Sequence, residues 1–107
     1  MARDGVDAAA DILLAAAWEA SQRGAYALEA MVLHDLVRFG AADRVVDRLV
    51  ELGQIIDGPL MKARVDHARG AAASDATLLA AAVDQFERVG SSLFVADASA
   101  QLAKVQG

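Results

Sequence analysis

The chain has 107 residues, enough for one domain with a modest core, and 56% of them are hydrophobic, giving a mean hydropathy of +0.32. No apolar run approaches the roughly 18 residues that a membrane helix needs, because charges interrupt every candidate helix. The absence of cysteine excludes disulfides, thiolate zinc sites and cysteine nucleophiles, and a net charge of −5 with scattered basic residues argues against a grip on phosphate backbones.

The first predicted helix runs over residues 7–22, with Ile12, Leu13, Ala16, Ala17 and Ala20 as its apolar stripe. No continuous apolar h-region follows Met1, so the stretch to Gly24 reads as an amphipathic helix and not a signal peptide, and a cytoplasmic protein is expected. Arg23-Gly24 stops this helix, since glycine accepts the left-handed geometry that follows a helix end. A second helix is predicted over 25–39, closed by Gly40. Leu28, Met31, Val32, Leu36 and Phe39 fill one side and Ala30, Leu33 and Val37 the other, so it should need neighbours on both sides. The third, over 42–56, turns Val45, Val46, Leu49, Leu52 and Ile56 inward and exposes Arg44, Asp47, Arg48 and Glu51, with weak pairs at three-residue spacing.

Asp57-Gly58-Pro59 is the clearest punctuation, because proline fits the first turn of a helix where its missing N–H costs nothing. A fourth helix is predicted over 59–72, with Lys62 to Arg69 as a solvated face. Ser74-Asp75 supply a cap for a fifth over 76–89, with Leu78, Leu79, Ala82, Val83 and Phe86 inward. Gly90 breaks it, and a sixth covers 92–105 through Leu93, Ala96, Ala100 and Ala103. Almost no strand signal is present, and connections of a few residues make neighbouring helices antiparallel.

Gly24, Gly58 and Gly90 are 34 and 32 residues apart, which fits a repeating helix pair. A shift of 66 residues places Ile12, Leu13, Ala16 and Ala17 over Leu78, Leu79, Ala82 and Val83, and Ala30 and Leu36 over Ala96 and Leu102. Leu79, Ala82 and Phe86 resemble the large-small-large signature of the second helix in a tetratricopeptide repeat. The expected fold is therefore all-α: residues 1–107 as a single domain of antiparallel hairpins, stacked as a short tetratricopeptide-like solenoid of about six helices. An alanine-rich helical bundle is the alternative.

The runs ALEAMVLHDLVRFG, VDRLVELGQIIDGPLMKARVDHARG and AAAVDQFERVGSSLFVADASAQLAKV together resemble the helical region of large LuxR-type transcriptional regulators. HDLVRFG and DGPL are the most specific parts, and the resemblance spans residues 27–105. In that family an ATP-binding signalling module precedes a tetratricopeptide-like region, and a C-terminal helix-turn-helix reads DNA. No GxxxxGK[ST] phosphate loop and no DNA-reading module occur in this sequence. The resemblance thus implies a regulatory segment without either active end, acting through a protein partner or self-association, with no cofactor. A free-standing oligomerisation or adaptor module is the competing reading.

Candidate reactive residues have plain alternatives. His34, with Asp35, Leu36 and Gly40, faintly echoes a phosphoacceptor motif, but Val37 and Arg38 stand where that motif has lysine and glycine; a surface histidine in an ion-pair cluster is expected. The same holds for His67 beside Asp66 and Arg64. The 33-residue interval between the histidines could place them equivalently in successive repeats, but a metal site needs more converging ligands. No serine lies in a nucleophile motif and no carboxylates pair, so no catalysis is expected. Phe39 is expected in the core. Trp18, off the apolar stripe of its helix, and Tyr26 are the expected interface residues.

Overall fold

A computed structural model describes residues 2–107, with side chains from residue 7 onward; Met1 lies outside the described residues. Six α-helices follow one another: α1 Ala2–Gln22, α2 Tyr26–Arg38, α3 Val46–Ile55, α4 Pro59–Ala73, α5 Ala76–Arg88 and α6 Ser92–Gln106. The architecture is all-α, as the composition and periodicity require, and no strand occurs among the described residues. Two boundaries differ from expectation. The first helix extends back to Ala2, and residues 42–44 form a 3-10 turn before α3, because Val45 takes a φ of −130° that interrupts the α geometry.

The local signals behave as their chemistry dictates. Gly24 and Gly90 adopt φ of 72° and 80° at the ends of α1 and α5. Asp75 caps α5, its carboxylate accepting from the amides of Thr77 and Leu78 at 2.9 and 3.2 Å. Pro59 opens α4, although Gly58 before it makes no side-chain cap.

Each helix packs on its neighbour in sequence, and α2 also packs on α4, so the hairpins stack. One core joins Leu33, Leu36, Val37, Leu49, Leu52 and Met61 to Ala10 and Ala17 of α1, and a second joins Ala63, Ala82, Phe86 and Ala98. The third hairpin also reaches the first: Asp97 of α6 pairs with Arg38, and the Gln101 amide donates to the Val37 carbonyl at 3.0 Å. With a radius of gyration of 13.2 Å the stack is as compact as a chain this long can be expected to be.

Burial corrects several expected faces. The buried stripe of α1 is Ala10, Ala17 and Ala20, flanked by Leu13 and Leu14, while Ile12 is 71% exposed and Ala16 also lies in solvent. In α6 the inward residue is Ala98, supported by Phe94 and Val95; Leu93, Ala96, Ala100 and Ala103 face out. Alanines on every side of both helices make the stripes nearly degenerate, and the larger residues of the partner helix decide between them. The 66-residue register fails for the same reason: Ala16 is exposed where Ala82 is buried, and Ala30 is buried where Ala96 is exposed. Phe39, expected in the core, is 61% exposed because it falls one residue past the end of α2.

The segment from Lys62 to Arg69 is no solvated face, since Ala63, Asp66, His67 and Ala68 are buried in α4. That helix is central, touching α2, α3, α5 and the 3-10 turn. Gly70 near its end lets α5 approach: a Cβ there would lie 2.9 Å from both the Leu79 Cγ and the Leu79 backbone nitrogen. On the other side of the molecule, Arg48 of α3 grips the buried Glu29 carboxylate with two bonds of 2.7 and 2.9 Å. This bidentate pair, and not the 3.9 Å approach to Glu51, is the main partner of Arg48. Arg44 likewise reaches Asp11 on α1 at 3.0 Å instead of Asp47.

Candidate functional site

The two histidines expected at the surface are both fully buried. His34 on α2 and His67 on α4 meet through a 2.9 Å hydrogen bond, and His67 continues at 2.7 Å to Gln101 on α6. Three helices thereby contribute one rung each, at sequence intervals of 33 and 34 residues. Aromatic rings wall the ladder: Phe94 stands edge-on to His34 at 4.8 Å between centroids, and Phe86 lies 5.5 and 5.7 Å from His34 and His67. Sequence reasoning placed the rings in solvent because their polar neighbours looked like an ion-pair cluster. The repeat interval was visible between the histidines, but its third member, Gln101, carries no charge or ring to draw notice.

The direction of each hydrogen bond is set from the far end. The Gln101 Nε2 group donates to the Val37 carbonyl; the opposite amide orientation would set two acceptors face to face. Gln101 Oε1 therefore accepts from the Nε2–H of His67. His67 Nδ1 then accepts from the Nε2–H of His34, and the Nδ1 of His34 is left buried without a partner. Both rings are neutral in this arrangement.

Electrostatics agree with that assignment. Burial, then the neighbouring His67, Arg64 and Arg38, lowers the His34 pKa to about 2. Burial also lowers that of His67, against the opposing pull of the Gln101 bond and of Asp97. Arg64 is likewise shifted down by burial, and its Nε is buried without a partner. A phosphoacceptor histidine must present a ring nitrogen to solvent, and His34 presents neither. Among the described residues, no three His, Cys, Asp or Glu side chains converge as metal ligands.

Beside the ladder, an open groove of about 580 Å³ is bordered by Arg38, Phe39, Asp97, Gln101 and Lys104. The expected interface residues stand elsewhere. Trp18 is 67% exposed at the rim of a smaller hollow of about 380 Å³, lined by Leu14, Ala17, Leu33 and Val45 with Arg44 and Arg48 at its edge. Tyr26 is 38% exposed, and the Arg48 guanidinium sits 5.9 Å from its ring centre. The two aromatics thus flank the Glu29–Arg48 pair. Leu28, Met31 and Ile12 are also in solvent on this first hairpin; α2 packs against α1 and against α3 and α4, as expected of a helix with neighbours in its own and the next hairpin, while the arc that carries Leu28 and Met31 is left uncovered. No helix among the described residues is long and apolar enough to cross a membrane. In comparisons with protein-family models, curated proteins and solved structures, nothing matches this chain.

Proposed function

We propose that the chain acts by contact and not by catalysis, as a helical-repeat interaction segment of a LuxR-type transcriptional regulator, with its first hairpin as the docking face. The observation that carries this reading is the exposure of Ile12, Trp18, Tyr26, Leu28 and Met31 on that hairpin, while Ala10, Ala17, Ala20 and Ala30 of the same two helices are buried. Large apolar side chains left in solvent together mark interaction surfaces, and tryptophan and tyrosine dominate the energetics of such surfaces. The regulatory context is supported by the likeness of HDLVRFG and DGPL to the helical region of those regulators. A reading frame joining this segment to a phosphate-loop module or a helix-turn-helix agrees with that context; a frame joining it to an unrelated enzyme contradicts it.

A protein surface is the occupant, and a second copy of the chain is the first to test because an isologous contact needs only this one face. Trp18 is the single tryptophan and reports directly. With increasing concentration, light scattering should show mass above the monomer and Trp18 emission should move to the blue. Leu28→Ser/Met31→Ser, which keeps the reporter, should remain monomeric with red emission, and Trp18→Ala should also lose the mass increase. A wild-type monomer with constant emission at every concentration would contradict self-association through this face.

A further inference from the structure

We propose that the His34–His67–Gln101 ladder is an acid-sensitive latch that holds α6 against α2 and α4. This inference stands independently of the docking face. Helix α6 packs chiefly on α5, and its hold on the first two hairpins rests on few side chains. Ala98 is its fully buried residue, and its links to the first two hairpins are the Gln101 rung, the Arg38–Asp97 pair and the edge-on packing of Phe94 on His34. The seam between α6 and the first two hairpins therefore has few contacts to lose, and such seams open at low cost.

The ladder is complete only when both rings are neutral. A proton added at His67 Nδ1 would face the Nε2–H of His34, two donors across 2.9 Å. Relief requires His34 to move its own proton to Nδ1, which turns a buried lone pair into a buried N–H with no acceptor. A proton added at His34 Nδ1 creates the same orphan donor directly. Charged groups facing the pair come from each helix: Arg38 and Asp35 on α2, Arg64 on α4 and Asp97 on α6, while α5 offers the uncharged Phe86. Arg38 is held between Asp35 and Asp97, yet it opposes a positive charge on either ring, and Arg64 adds to that at His34.

The sign follows from the depressed values. The closed form keeps both histidines neutral, and a form with α6 released returns them toward the ordinary pKa of about 6.5. Docking of α6 is therefore fully present above that pH and weakens as pH falls below it. Well below that pH each proton taken up by the open form lowers the closed-to-open ratio about tenfold per pH unit, so one proton gives about sixteenfold between pH 6.5 and 5.

Hydrogen exchange on the intact chain at pH 7 and pH 5, corrected for intrinsic rates, tests the latch. Protection of α6 amides should fall about tenfold or more while α3 and α4 amides hold theirs, and His34→Gln/His67→Gln, which lacks titratable rings, should show no such fall in α6. Simultaneous loss of protection in α6, α3 and α4 would overturn the proposal, because the acid response would then be global unfolding. So would an α6-specific response that persists in the double variant. If that variant does not fold, the comparison of helices within the wild-type chain decides alone.

Discussion

Replacing Phe86 with alanine is expected to cost about 3–5 kcal/mol in urea unfolding, the largest effect of any single apolar truncation here. Phe86 is fully buried: it packs with Ala63, Ala82 and Ala98, and its ring lies against both imidazoles and against Phe94. Its fully buried neighbours in that cluster are alanines, whose short side chains cannot swing in to fill the space. The lost transfer energy is thus joined by a cavity term. Phe39→Ala is the matching control. Its ring lies mostly in solvent, so the change should stay within about 0.5 kcal/mol, whereas a core phenylalanine would behave like Phe86. Comparable losses in the two variants would contradict the placement of both rings.

The second large effect concerns backbone approach. Gly70→Ala inserts a methyl group 2.9 Å from the backbone nitrogen of Leu79, which belongs to the first turns of α5 and cannot rotate away. The hairpin must open, and the gain in helix propensity, about 1 kcal/mol, offsets only part of that strain. A net loss of about 1–3 kcal/mol is expected by chemical denaturation. Gly53→Ala provides the contrast because its close neighbour is the Val65 Cγ2, the end of a side chain that can give way. That variant should be near neutral. Equal effects at the two positions would show that α4 and α5 are not held as closely as described.

What the sequence reveals and what it hides divide along a physical line. Helix ends were legible because their causes are local: Gly24 and Gly90 take left-handed backbone geometry, Pro59 starts α4, and Asp75 caps α5 with its own carboxylate. Inward faces were legible where one side chain dominates by size, as with Leu49, Leu52, Leu79 and Phe86. They were not legible in α1 and α6, where alanine occurs on every face and the choice is made by distant partners. The ladder belongs to this second class. Nothing near His34 in sequence says that it is buried, and its burial is fixed by residues 33 to 67 positions away: His67, Phe86, Phe94 and Gln101. The exposed Trp18 was recognisable from its position off the apolar stripe, while the emptiness beside Leu28 and Met31 was not, since their helix looked apolar on both sides.

The neutrality and tautomers of the buried pair can be read directly by nitrogen-15 NMR of the imidazole rings at pH 7. Both rings should be uncharged, each with its proton on Nε2 and a bare Nδ1, and their signals should be in slow exchange with water. A protonated ring, an Nδ1–H tautomer on His67, or shifts averaged as in a free surface histidine would contradict a sealed three-helix ladder.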